Sequence, residues 1–226
     1  MKLLIILITT LTFTSVAIPA TEEISKDCIN KNIPDSERAF SNTFSGTFNG
    51  KRLEYRASLK EKILYEKDNP NAPMASFFYT EYIVESDSNR PVIFSFNGGP
   101  GSASLWLHMG VLGPKVIKVP SDASDDGSAP YKIVDNKLSP LSDADLVFID
   151  PIGTGYSRAV GCHEPEEFWG VSEDPKIIAE FIRRWINDNK RWNSPRYILG
   201  ESYGGIRGPL LVSELRSGSI TPIEVN

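Results

Sequence analysis

The spacing of hydrophobic and polar positions changes three times along the chain. Residues 1–20 open with Lys2 and a mostly apolar run from Leu3 to Leu11. Residues 21–42 are polar without a sustained period and are expected to be irregular. From Thr43, TFSGTFNGKRLEYRASL alternates on both sides of Asn49-Gly50, a dipeptide that favours a two-residue β-hairpin turn. ILYE and ASFFYTEYIVES extend this antiparallel opening. Three short apolar runs follow: PVIFSF (91–96), DLVFID (145–150) and RYILG (196–200). Near-continuous apolar character predicts central parallel strands buried on both faces.

Helical spacing appears between and after these runs. In EDPKIIAEFIRRWINDN, Ile177, Ile178, Phe181, Ile182, Trp185 and Ile186 form one apolar stripe. Asp174 is the expected N-cap, with Pro175 at the first helical position. A second helix is expected after RYILG, with Ile206, Leu210, Leu211 and Leu215 inward and Gly218 as its end signal. Antiparallel strands followed by strand–helix units predict an α/β fold: a mixed sheet with flanking helices over 43–226. SDASDDGSAPYK (121–132) reads as a surface loop.

Charge narrows the function. Lys and Arg number 24 against 29 Asp and Glu, a formal net charge of −5. No basic run is long enough to track a phosphate backbone, so no nucleic-acid partner is expected. Lys2, the apolar run and the small residues ending at Ala17 or Ala20 read as a secretory signal over 1–20. Thr9, Thr10, Thr12, Thr14 and Ser15 make the segment too polar for a good membrane span. A secreted or periplasmic location follows, with no stable membrane partner. There Cys28 and Cys162 could pair with each other or with groups outside the chain, and the sequence leaves both open.

Three stretches carry candidate chemistry, each where a predicted parallel strand ends, which is where open α/β sheets bind ligands. FSFNGGPGSASL holds Gly98, Gly99 and Gly101. Its rival reading, a phosphate loop, fails because G-x-x-x-x-G-K-[ST] is absent and no Lys or Arg lies near. DLVFIDPIGTGYSR starts like a dinucleotide fingerprint, but Arg158 stands where its third glycine belongs. It reads as a tight structural turn beside the site. RYILGESYGG sets G-x-S-x-G between a strand and a helix, the context of a nucleophile elbow that exposes Ser202 Oγ. No metal or cofactor is implied.

NGGPGSAS, IDPIGTGYS and GESYGG, in this order, resemble the serine carboxypeptidase family of the α/β-hydrolase fold, and a bacterial-type member of it. The likeness runs from about Phe44 to Leu215. It implies an exported enzyme that releases C-terminal residues from peptides through an acyl-enzyme on Ser202. It also implies an oxyanion hole from the N–H groups of Gly99 and Tyr203. Asn97, the Gly98 N–H and a protonated Glu201 would hold the substrate's terminal carboxylate. Two adjacent carboxyls cannot both ionise without strong repulsion, so binding in acid is expected. The chain departs from the family pattern at Ser95, where many members carry tryptophan, at Ser102, where many carry cysteine, and at Val111, where many carry a buttressing glutamate.

In this fold the acid and the base follow the serine, as Asp and then His. No histidine follows Ser202; His108 and His163 both precede it and read as packing or surface residues. The chain is therefore expected to be the N-terminal part of a longer enzyme, with little turnover alone. A fragment supplying Asp and His would be its partner. Two alternatives stay open: an acyltransferase or esterase using the same serine, and a non-catalytic binding protein on a degenerate hydrolase fold.

Overall fold

The computed structural model describes residues 33–86, 89–119, 122, 129–217 and 222–226. The expected signal segment, Cys28, residues 121 and 123–128 of the surface loop, and Gly218 lie outside them. Asn49 and Gly50 both take positive φ, 48° and 79°, as a hairpin turn matched to strand twist requires. They join β1 (Ala39–Phe48) to β2 (Lys51–Glu66), and β3 (Asn69–Ile83) returns antiparallel to β2. β1 starts at Ala39, inside the segment expected to be irregular. Ala39 pairs with Lys60, and Arg38 Nε donates to the buried Glu61 Oε2 at 2.8 Å. Long-range pairing thus overrides the weak local pattern.

The strands β4 (Val92–Phe96), β7 (Asp145–Ile149) and β9 (Arg196–Gly200) are the three apolar runs. The main sheet has the order β1-β2-β3-β7-β4-β9, with β4 parallel to both β7 and β9. β7 is buried throughout, as expected of a central strand. β9 is not: it is an edge strand among the described residues, and Tyr197 is 42% exposed. At its outer edge Asn226 N donates to Arg196 O at 2.8 Å. A short ribbon of β5 (Lys115–Ile117) and β6 (Ile133–Asp135), and β8 (Arg158–Ala159) on β3, were not evident from the hydrophobic pattern.

α1 (Glu173–Asp188) buries the predicted stripe against one face of the sheet. The Phe181 ring packs on Phe77 and Tyr79 at 5.1 and 5.0 Å, and Trp185 meets Phe94 edge-on. Trp185 Nε1 donates to the buried Glu81 Oε2 at 2.9 Å. Ser172, not Asp174, occupies the N-cap position; Asp174 lies in the first turn with its carboxylate turned inward. α2 (Gly204–Ser217) corrects another expectation. Its buried row is Gly204, Arg207, Gly208, Leu211 and Leu215, while Ile206 and Leu210 face outward. A second apolar cluster, including Tyr55, Tyr82, Leu107, Leu146 and Phe148, forms a core of its own. No described helix is long and apolar enough to cross a membrane.

Candidate active site

β4 and β9 are parallel neighbours, with Phe96 opposite Gly200. The segments leaving them therefore emerge side by side at the carboxyl end of the sheet. From β9 the chain turns at once into α2, and the turn closes through Gly204 N to Glu201 O and Gly205 N to Ser202 O, both 2.8 Å. Ser202 sits at φ 57°, a left-handed conformation that is unfavourable for any residue but glycine. Its side chain is exposed at the tip.

The glycine loop meets this turn backbone to backbone. A Cβ on Gly98 would lie 2.5 Å from Tyr203 N and 2.6 Å from Glu201 O. Only glycine allows that approach. Ser102 N then donates to Gly98 O at 3.1 Å and folds the loop back, leaving Gly99 exposed. Asn97 is fully buried behind the loop. Its Oδ1 accepts from Leu107 N at 3.0 Å, and its Nδ2 donates to Glu201 Oε2 at 3.1 Å. An amide nitrogen carries two hydrogens, so Nδ2 has the capacity for a second donation. Asn97 and Gly98 thus meet Glu201 and Tyr203, with Gly99 and Ser202 as their chain neighbours.

The middle stretch supplies support. Gly153 N donates to Ser157 O and Thr154 N to Pro151 O, both at 3.0 Å, which makes 151–157 a compact turn. Asp150 Oδ1 accepts from Ser104 N at 2.8 Å, and Ser104 Oγ donates to Ile149 O. Burial pushes the Asp150 carboxyl up, against the lowering effect of the Ser104 N–H. Pro100, Gly101, Ile152, Trp169, Asp174 and Arg207 help bound a cavity of about 240 Å³ beside the loop. The departures from the family pattern also have structural form. Ser95 is fully buried and its hydroxyl has no partner among the described residues, whereas Val111 is exposed.

Both histidines are committed elsewhere. The His108 ring stacks on Phe148 at 4.7 Å, and its Nε2 lies 2.6 Å from Tyr82 Oη. Burial lowers its pKa to about 4, so the ring is neutral at neutral pH. His163 spans two carboxylates, Nδ1 to Glu167 at 2.9 Å and Nε2 to Glu66 at 3.0 Å. Desolvation opposes its charge, but the two hydrogen bonds and the two charges outweigh it and raise its pKa.

Sequence reasoning missed Arg207. It lies on the inward row of α2, where its Nε donates to Asp174 Oδ2 at 2.6 Å and its Nη1 to Asn97 O at 2.7 Å. Burial pushes the Asp174 carboxyl up despite the pull of Arg207. The available signal was one charge inside the otherwise uncharged run GIRGPLLV.

Comparison with known proteins adds a family. A family model described as serine carboxypeptidase matches residues 58–222. Serine carboxypeptidase-like 9 of Arabidopsis thaliana is 32% identical over 148 residues, covering 63% of this chain and 32% of that protein. Serine carboxypeptidase-like 12 of the same plant is 32% identical over 145 residues, covering 61% and 32% respectively. The chain thus spans about a third of the length of the curated relatives it matches. Among solved structures, a peroxisomal α/β-hydrolase of Saccharomyces cerevisiae aligns at TM-score 0.38 and 10% identity, covering 83% of this chain and 43% of the other.

Proposed function

The chain belongs to the serine carboxypeptidase family, on an α/β-hydrolase fold, and from that premise we propose that it carries the nucleophile half of a peptidase site releasing C-terminal residues. Ser202 Oγ attacks the last peptide carbonyl, and an acyl-enzyme forms as the terminal amino acid leaves. The oxyanion is met by the N–H groups of Gly99 and Tyr203. The leaving residue's carboxylate lies against Asn97 Nδ2, the Gly98 N–H and Glu201. Glu201 shares a proton with it, because two facing carboxylates repel. The base and its orienting acid come from an Asp- and His-bearing segment outside these 226 residues, since both histidines here are engaged elsewhere. The amino-terminal sequence supports an exported protein.

The observation that carries this reading is Ser202 at φ 57° with Gly98 packed against the Tyr203 nitrogen. That arrangement keeps a strained serine exposed beside a backbone that can bind an anion. The test is calorimetric titration of the purified chain with an N-blocked dipeptide and its C-terminal amide from pH 4 to 8. We expect the free acid to bind more tightly than the amide, with the gap widest in acid. Equal affinity for both at every pH would remove the carboxylate site. Product assays on the same samples should show little release of amino acid; robust turnover by the chain alone would show that the base is present after all. Ester cleavage with transfer to an added alcohol, without peptide cleavage, would favour acyl transfer.

A further inference from the structure

Arg207 is 2% exposed and touches both the glycine loop and the nucleophile turn. Its guanidinium lies over the Phe96 ring at the end of β4 and over the Tyr203 ring of the nucleophile turn, at 5.2 and 5.3 Å. Nε donates to Asp174 Oδ2 in the first turn of α1, and Nη1 donates to the carbonyl oxygen of Asn97. That carbonyl belongs to the same peptide unit as the Gly98 N–H. A trans peptide is rigid and planar, with its C=O and N–H pointing in opposite directions. Fixing the Asn97 oxygen therefore fixes where the Gly98 N–H points. A charged donor on the carbonyl also polarises the unit and makes that N–H a stronger donor.

The pair is a poor device for stability. Burying two charges costs several kcal/mol, roughly what their attraction returns, so an apolar pair of the same volume is often no worse. An Asp174 carboxyl raised by burial contributes stability only below its unfolded value and loses it as pH rises through the folded one. What the pair does offer is direction: a planar fork holding a carboxylate and a carbonyl at once, which lysine's single ammonium does not reproduce.

We propose that Arg207, held by Asp174, is a positioning residue that aims the Gly98 N–H at the terminal carboxylate of the substrate. The inference rests on the carboxylate cradle of Asn97, Gly98 and Glu201 proposed above. The test compares the affinities of an N-blocked dipeptide and its amide in wild type, Arg207→Lys and Asp174→Asn, with Trp185→Phe as a destabilised control remote from the loop. The ¹⁵N–¹H signal of Gly98 is followed in each.

The expected result is an acid-to-amide preference about tenfold smaller in Arg207→Lys and partly reduced in Asp174→Asn. The Gly98 proton signal should move upfield in both, while Trp185→Phe keeps the wild-type preference at a lower melting temperature. A wild type that does not prefer the acid removes the cradle itself, and the inference with it. A wild type that prefers the acid, beside a folded Arg207→Lys that matches it in preference and in the Gly98 signal, overturns the positioning role alone. So does a loss of preference in Trp185→Phe, which would make the effect one of general stability. Failure of both Arg207→Lys and Asp174→Asn to fold would likewise overturn it, because the pair would then support the fold and not the loop.

Discussion

Ser202 combines a backbone cost with an exposed hydroxyl, and the two can be separated by substitution. A left-handed conformation costs a non-glycine residue about 1–2 kcal/mol, while glycine loses more freedom on folding. Ser202→Gly is therefore expected to raise stability in urea by about 0.5–1 kcal/mol while removing any acylation. Unchanged or lower stability would mean that the turn is not strained at this residue. Gly98→Ala should act in the opposite sense. Its Cβ would press on Tyr203 N and Glu201 O, backbone atoms that cannot swing aside. A loss of about 1–3 kcal/mol is expected by urea denaturation, with weaker binding of the free-acid peptide. These residues were legible in the sequence because strained turns and close backbone contacts restrict composition to a few types at fixed spacing. Arg207 was not, because a hydrophobic pattern counts a charge as outward even when a partner 33 positions away neutralises it.

At the scale of elements, legibility follows how often the signal repeats. The Asn49-Gly50 hairpin, the three apolar strands and the α1 stripe rest on several mutually consistent positions each, and all three appear in the fold. β5 and β6 have three residues apiece and too little pattern to announce a ribbon. The apolar pattern of α2 locates Leu211 and Leu215 but misplaces Ile206 and Leu210, because the inward row also holds Gly204, Arg207 and Gly208. Small residues let that helix approach β9, where a Cβ on Gly208 would meet Ile198 at 3.9 Å. The docking of α1 is fixed by polarity as well as by its stripe, through the bond from Trp185 to Glu81. Trp185→Phe keeps most of the packing but leaves a buried carboxylate oxygen short of a donor. A loss of about 1.5–3 kcal/mol is expected from urea midpoints. A loss under about 0.5 kcal/mol would show that the Lys60 ion pair satisfies Glu81 alone.

Across the whole molecule the two histidines oppose each other in pH. His108 has a folded pKa of about 4, below its unfolded value near 6.5, so the neutral ring is favoured by folding. Its contribution is complete above the unfolded value and is lost as pH falls, by up to about 3 kcal/mol near pH 4. His163 behaves in reverse. Its folded pKa is raised, so its contribution is complete below the unfolded value and is lost as pH rises through the folded one. The two histidine contributions therefore fall away on either side of the unfolded histidine value of about 6.5. Urea midpoints at pH 4.5, 6.5 and 8.5 test this by difference, which cancels the other carboxyls. His108→Gln, which keeps an acceptor for the Tyr82 hydroxyl, should flatten the acid limb alone, and His163→Gln the alkaline limb alone. An alkaline limb unchanged in His163→Gln would remove the bridge to Glu66 and Glu167 as its cause. The acid limb bears directly on the proposed chemistry. Peptide affinity measured in acid also depends on how much of the chain stays folded. Peptide binding by His108→Gln should accordingly persist to lower pH than wild-type binding, which is cut off by unfolding.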